Sequence, residues 1–435
     1  MSARKLLIAP LLTALVGLLT LPALASSQAR IVRLSDVEGT VQIDRNSGQG
    51  YEKAFLNMPI TEGVKLWTKS DGRAEVEFED GSVIRIAPDT IISFTQLSLA
   101  DNGNKLSTIK VDEGTAYINF RSKKDSELTV NFGHETTRLT QPAHLRVDLR
   151  DIDATLAVFT GDVEVSGPSG SVKVGKKQSA TFNLAAADTY ELAKNVEPDP
   201  YDKWDKEQTQ YHDRYYASSS YNNYPYSYGV SDLNYYGNFY YLPGYGNLWQ
   251  PYFAGTGWNP FTNGAWCWYP GFGYTWVSGY PWGWMPYRYG TWIFVPNYGW
   301  GWQPGGWTAW NTVPVVVNPP TRFTPPQPPA VAGHPTVTVG STGTASNPHS
   351  GRVLVTQGTA GLGIARGSIR NLPVISQRVA TQGTATVHAG ASPAYAPRTM
   401  GPPVRAGSPG RIGSAGGHVS APSHFSPSHA SGAHR

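Results

Sequence analysis

The chain has 435 residues, a single cysteine and a formal net charge of +4. One thiol excludes an internal disulfide framework, and the length allows two or three domains. From Asn311 onward there are nine Arg and no Lys, Asp or Glu, which leaves 26 basic against 31 acidic residues, or −5, in the rest: an acidic body with a basic tail.

Residues 1–25 read as a secretory signal peptide. Arg4 and Lys5 precede an apolar run from Leu6 to Leu21, and Ala23-Leu24-Ala25 forms a small-residue cleavage site. Cleavage is expected between Ala25 and Ser26. The apolar run is short for a membrane span and is interrupted by Pro10.

Residues 30–184 are a block of short strands. The stretch from Ala74 to Ile92 alternates apolar and polar residues on both sides of Asp80-Gly81. A two-residue loop there sets Val76 opposite Arg85. A three-residue loop, Glu79-Asp80-Gly81, instead sets Val76 opposite Ile84 and Phe78 opposite Ser82. Val76, Phe78, Ile84 and Ile86 then share one face, and Gly81 falls where a bulge needs a left-handed residue. Further strands are predicted at Leu128–Asn131, His144–Leu149, Thr155–Phe159, Ser171–Val174 and Ser179–Asn183. With turn residues between them and no helix pattern, the block is all-β; a sandwich, a barrel and a short solenoid are all compatible.

Three stretches share a local pattern: Glu38-Gly39-Thr40-Val41, Glu113-Gly114-Thr115-Ala116 and Thr160-Gly161-Asp162-Val163. Together with Gly63-Val64-Lys65-Leu66-Trp67-Thr68, Asp80-Gly81-Ser82 and Gly175-Lys176-Lys177-Gln178, this block resembles the FecR domain. The resemblance covers about 150 residues. It implies an extracytoplasmic β-rich fold with solenoid-like character.

Residues 185–231 read as a linker. Ala185–Asn195 is predicted as a short helix ended by Pro198 and Pro200, and Asp202–Tyr216 as a short solvated helix. Residues 232–310 form an aromatic block that holds twelve of the fourteen Trp. After Asp232 its one charged side chain is Arg288. Short strands carrying alternate aromatics between Gly turns are expected. The pieces Trp249-Gln250-Pro251, Gly257-Trp258, Tyr289-Gly290-Thr291-Trp292 and Gly299–Gly305 resemble a Trp/Tyr-rich domain of unknown function that follows FecR-like domains. Phe239 stands where that pattern has Trp, and the resemblance implies no activity. Residues 311–435, rich in Pro, Gly, Ser, Ala and Thr, read as a disordered tail.

No sequence motif for hydrolase, protease, nucleotide or redox chemistry is present. Ser107-Thr108-Ile109-Lys110 matches a nucleophile motif by letter but lies on a predicted strand. His134-Glu135 and Asp151/Asp153 read as turn and solvated-strand residues. The seven His of the tail are irregularly spaced and lack a ligand quartet. Cys267, between Trp266 and Trp268, reads as a small buried residue. No catalytic, cofactor or metal site and no specific nucleic-acid partner is expected.

The aromatic block has two readings. Its indoles form the core of a module poor in aliphatics, or some line an exposed face. In the second case the pairs Trp266/Trp268, Trp282/Trp284 and Trp300/Trp302, spaced i, i+2, would set their rings on one side and stack on sugars. The expected whole is a periplasmic or secreted, non-catalytic envelope protein that binds or scaffolds. Its candidate partners are an envelope polysaccharide, peptidoglycan or an envelope protein, with the Arg-rich tail favouring anionic surfaces. The rival is an extracytoplasmic sensing component. Regulators with FecR domains carry a cytoplasmic region and a membrane helix ahead of the β domain. Here about thirty residues precede the first strand and read as a signal, which argues against anti-sigma activity.

Overall fold

Alternation of apolar and polar residues from Val32 to Asn183 resolves into strands that visit two sheets by turns. A computed structural model describes residues 30–121, 124–168, 170–185, 189–217, 228–308, 310, 315–333, 336–342 and 351–389. The expected cleavage site at Ala25 and Ser26 lies outside the described residues. In chain order the strands begin β1 (Val32–Glu38), β2 (Val41–Asp44), β3 (Glu52–Lys53), β4 (Pro59–Ile60), β5 (Lys65–Thr68), β6 (Arg73–Glu77), β7 (Val83–Ile86), β8 (Thr90–Leu99) and β9 (Lys105–Phe120). They continue as β10 (Ser126–Phe132), β11 (Glu135–Leu139), β12 (Ala143–Leu149), β13 (Asp153–Thr160), β14 (Val163–Gly167), β15 (Gly170–Val174), β16 (Gln178–Asn183) and β17 (Tyr190–Ala193).

One sheet runs β4-β1-β6-β7-β9-β12-β13-β16-β17. The other runs β3-β2-β5-β8-β9-β10-β11-β14-β15. The long strand β9 belongs to both. Its first half pairs with β8 and β10, and its second half with β7 and β12. The change of sheet falls at Gly114, with φ +89°, where a Cβ would lie 2.5 Å from the Asp89 carbonyl oxygen. The result is a sandwich whose chain winds between layers, so the solenoid-like and sandwich descriptions both apply. No barrel forms among the described residues.

The alternation decides what each face holds. The row Ala74–Ile86–Ala116–Val147–Leu156–Ala180 crosses the first sheet on its inner side, fully buried against the second. The neighbouring row Glu75–Arg85–Tyr117–Arg146–Ala157–Ser179 lies on the outer side. At the β6–β7 turn Val76 pairs with Ile84, the Phe78 amide donates to the Ser82 carbonyl at 2.8 Å, and Asp80 Oδ1 accepts from the Ser82 amide at 2.8 Å. Gly81 holds φ +80°. Gly81→Val forces a β-branched residue into this region and is expected to cost about 1–3 kcal/mol, read from the denaturation midpoint of the full chain. An unchanged midpoint would remove the bulge argument.

Two sequence expectations for residues 185–231 are corrected. In place of a helix over Ala185–Asn195, Tyr190–Ala193 is an edge strand paired to Ser179–Phe182, because a free sheet edge outweighs helix propensity; residues 186–188 are not among those described. The helix α1 (Asp202–Ala217) does form, but it is not solvated. Trp204, Asp205, Tyr211 and His212 are buried where α1 lies across the polar row of the first sheet. Its buried stripe is polar because the surface beneath it is polar.

The chain continues with α2 (Val230–Tyr236), β18 (Gly237–Leu242), β19 (Gly246–Pro251), β20 (Gly264–Tyr269), β21 (Gly273–Ser278), α3 (Met285–Arg288), β22 (Tyr289–Val295) and β23 (Gly299–Trp307). After these come β24 (Val315–Val317), β25 (Val337–Val339), β26 (Arg352–Thr356), α4 (Leu372–Gln382) and β27 (Thr384–His388). The aromatic block makes two sheets, β18-β19-β23-β22-β24 and β21-β20-β25. Each takes its last strand from beyond residue 310. Disorder beginning at residue 311 is therefore corrected over the described parts of 315–389, where Val355, Ile364, Ile369, Leu372 and Val379 are buried in the aromatic core. Few aliphatics suffice there because the core they enter is supplied by other segments. Residues 390–435 lie outside the described residues.

Candidate functional site

The six tryptophans expected to flank a ligand do not make an exposed face. Trp266, Trp282, Trp284, Trp300 and Trp302 are at most 2% exposed, and Trp268 is half-buried against Tyr274. Trp282 and Trp284 sit in a turn rather than on a strand, so their spacing sets no common face. Trp282 packs against Trp249, Tyr280, Tyr287 and Trp292, with ring centroids 4.8–6.0 Å apart. Flat rings approach this closely because glycines lie beneath them: a Cβ on Gly264 would stand 2.5 Å from the Trp276 ring. A module of about 80 residues alone could not hide so many indoles. This one shares its burial. Ala265, Cys267, Tyr269 and Val277 join the sandwich core, and Tyr211 of α1 and residues 351–389 join the aromatic core. Cys267 is fully buried and its thiol is pushed up to about 12 by burial, which makes it unreactive.

The joint between sandwich and aromatic block holds the chemistry that the sequence did not reveal. Glu75 on β6 is fully buried, yet each carboxylate oxygen is used. Its Oε1 accepts from Ser35 Oγ at 2.7 Å and Arg366 Nη1 at 2.7 Å and lies 2.9 Å from His212 Nε2. Its Oε2 accepts from Arg85 Nε at 2.8 Å. Arg85 reaches on to Asp205 of α1 at 2.6 Å, and Asp205 Oδ2 lies 2.9 Å from His144 Nε2. Asp232 of α2 is the second hub. It takes Arg33 at 2.6 Å, the Tyr211 hydroxyl at 2.8 Å, and Arg366 through Nε at 3.1 Å and Nη2 at 3.2 Å. Arg33 also reaches Glu77 at 3.2 Å and donates to the Pro281 carbonyl at 2.9 Å.

Four separate parts of the chain thus meet in one buried seam: β1, β6 and β7 of the sandwich, helix α1, the start of the aromatic block at α2, and the loop after β26. Buried ion pairs of this kind fix geometry more than they add stability, because desolvation offsets much of the attraction. Burial alone would push Glu75 up, but His212, Arg366 and Arg85 outweigh it and hold the carboxyl well below its usual range. Asp205 and Asp232 are likewise held low against burial, by Arg85 and by Arg366 with Arg33 respectively. Glu77 moves the other way: burial raises it beyond what His212 and Arg33 recover.

Asp36 is the outlying member. Burial raises its pKa from 3.8 to about 7, opposed by Arg366 and helped by Glu38 and Glu75. A raised folded pKa gives a contribution fully present below the unfolded value and lost as pH rises through about 7. The lowered Glu75, Asp205 and Asp232 contribute above their unfolded values and lose that contribution as pH falls. Stability is therefore expected to peak at about pH 4 and to decline up to about pH 7; Glu77, also raised, contributes to that decline, so Asp36→Asn makes it shallower while leaving the acid limb in place. Equilibrium unfolding across that range checks it; an unaltered decline in the variant would assign the alkaline limb elsewhere.

Among the described residues no cluster of His, Cys, Asp and Glu is arranged to hold a metal ion. Ser107 lies on β9 and its Oγ accepts from Arg30 at 3.0 Å, so the nucleophile-like letters have a structural use. The signal for the seam was present in the sequence. Glu75 and Arg85 stand opposite each other in the hairpin register, and Asp232 is the last acid before a nearly uncharged block. What could not be read was the partner in each case, 120 residues away for Arg85–Asp205 and 291 for Arg366–Glu75.

A model of the FecR protein family matches residues 64–164, and a model of a family of unknown function, DUF6600, matches residues 230–324. Two crystal structures of a "putative anti-sigma factor" from Parabacteroides distasonis ATCC 8503, at 1.65 and 2.50 Å resolution, are similar at 16% identity and a TM-score of 0.27. Each match covers 30% of this chain and 59% of the solved one. No curated protein matches.

Proposed function

We propose that this FecR-containing protein, with its second domain of the DUF6600 family, is a non-catalytic sensing component of the bacterial cell envelope that works outside the cytoplasm. The observation that carries the reading is the buried seam. It ties Glu75 of the FecR-matched strands to Asp232 of the DUF6600-matched segment through Arg366, which pairs with both. A cavity at the seam, lined by Ser35, Asp36, Asp232 and Arg366, holds only about 20 Å³. Ionic contacts between two matched domains suit a protein that transmits the state of one to the other. The export-type sequence at residues 1–25 supports the location. No helix among the described residues is long and apolar enough to cross a membrane.

Glycan binding or scaffolding is the competing reading. It passes from the buried tryptophans to the exposed Tyr240, Tyr241, Tyr298 and Trp307. Deleting the gene in its host and restoring the full chain, with transcript profiling, separates the two. The expected result is a restricted set of transcripts that changes on deletion and returns on restoration. Unchanged transcripts, together with retention of the protein on an envelope glycan preparation that is lost on Tyr241→Ala, would overturn it.

A further inference from the structure

The loop from Ala360 to Ile369 lies in the seam as a peptide lies in a receptor groove. Its backbone is held by side chains of the aromatic block. Trp282 Nε1 donates to the Ala360 carbonyl at 2.7 Å, the Tyr236 hydroxyl to the Ile364 carbonyl at 2.8 Å and the Tyr235 hydroxyl to the Ile369 carbonyl at 3.0 Å. Gly361 has φ +87°, and a Cβ there would stand 2.9 Å from the Tyr236 ring. Between these backbone contacts the side chains of Ala360, Ile364 and Ile369 are buried in the aromatic core, so the groove fits a small-residue segment with apolar side chains at those places.

Arg366 is the one charged side chain of the loop. It enters the acidic pocket, forks onto Asp232, reaches Glu75, donates to the Ser35 carbonyl at 2.6 Å and lies 5.1 Å over the Tyr211 ring. Without it, five carboxyls (Asp36, Glu75, Glu77, Asp205 and Asp232) face the guanidiniums of Arg33 and Arg85, with Arg73 near Asp36, His144 on Asp205 and His212 on the α1 side. The pocket then has an excess of acid that a planar, permanently charged donor offsets best. The segment that carries Arg366 is also separate in its pairing. Among the described residues β26 and β27 pair only with each other and add to no other sheet, and the Gly358 amide just after β26 donates to the Phe253 carbonyl at 2.7 Å.

We infer that this groove is a recognition site for an arginine-bearing, glycine-rich peptide, and that residues 360–369 occupy it in cis as an exchangeable ligand. The inference rests on the sensing reading for its purpose: a partner protein presenting such a segment outside the cytoplasm would displace the chain's own and reset the seam. The recognition chemistry is the same in either case, a guanidinium on Glu75 and Asp232 with backbone carbonyls on Trp282, Tyr235 and Tyr236.

The test uses the full chain and a fluorescent synthetic peptide of residues 358–371. A tethered segment competes at an effective concentration of millimolar order, so the peptide is expected to bind Arg366→Ala on the order of 10²-fold more tightly than wild type. The same peptide with Arg366→Ala in its own sequence is expected not to bind. Should the variant fail to fold, hydrogen exchange on wild type carries the test: saturating peptide is expected to speed exchange of the backbone amides in 360–369 and leave β6, β7 and β12 protected. Equal peptide affinity for the two proteins, or exchange in 360–369 that the peptide does not alter, would overturn the inference. Either result leaves the transcript assay standing, so the two readings fail separately.

Discussion

Arg85→Ala is expected to destabilise the chain by about 3–5 kcal/mol, because it strands two buried carboxylates. Arg85 is 1% exposed and lies between Glu75 at 0% and Asp205 at 4%. Glu75 keeps Arg366, His212 and Ser35, whereas Asp205 keeps the imidazole of His144 and the Thr209 hydroxyl loses its Arg85 donor. The deficit has a definite pH signature. With Arg85 gone, the folded pKa values of both carboxyls rise, and a raised folded pKa gives stability that is lost as pH rises. The variant should therefore approach wild type on acidification and diverge from it towards neutrality. Denaturant unfolding at several pH values measures this, and a double-mutant cycle with Glu75→Gln isolates the pair term. A loss below about 1 kcal/mol at neutral pH is the size found for solvated pairs and would mean that water enters the seam.

The same residues show what could be read in advance. Strand positions in residues 30–184, the hairpin register at Asp80-Gly81 and the placement of Cys267 follow from local alternation and turn chemistry, which a sequence states directly. The outer face of the first sheet is different. Glu75, Glu77 and Arg85 alternate with apolar residues as a solvated face would, and nothing local says that α1 and the loop at Arg366 will cover them. The helix misreading at Ala185–Asn195 has a similar origin, since an edge strand depends on the neighbour it pairs with. In the tail, low complexity concealed about ten apolar side chains between Val353 and Val387 that are too sparse to form a core but sufficient to complete one. The tryptophan spacing misled for a related reason. A surface-to-volume argument applied to residues 232–310 alone predicts leftover indoles, and the block is not alone.

Trp282→Ala offers the largest effect in the aromatic block and separates a core from a sugar-stacking surface. A buried Trp truncated to Ala leaves a cavity as well as losing transfer energy, and costs about 3–5 kcal/mol. Trp282 is fully buried among Trp249, Trp258, Tyr280, Tyr287 and Trp292, so five aromatic neighbours lose contacts at once. Its indole also holds the Ala360 carbonyl, which would be left without that donor. Trp282→Phe keeps most of the packing but not the donor, and should fall between Ala and wild type. Tyr241, 71% exposed on the edge strand β18, is the control, and Tyr241→Ala should change stability by no more than about 0.5 kcal/mol. A stacking face would give the reverse pattern, with ligand binding lost on Trp282→Ala and the fold unchanged. Thermal unfolding of the three variants, with acrylamide quenching of the folded state, decides between them: a stable Trp282→Ala protein whose remaining indoles quench as readily as free tryptophan would show that the rings face water after all.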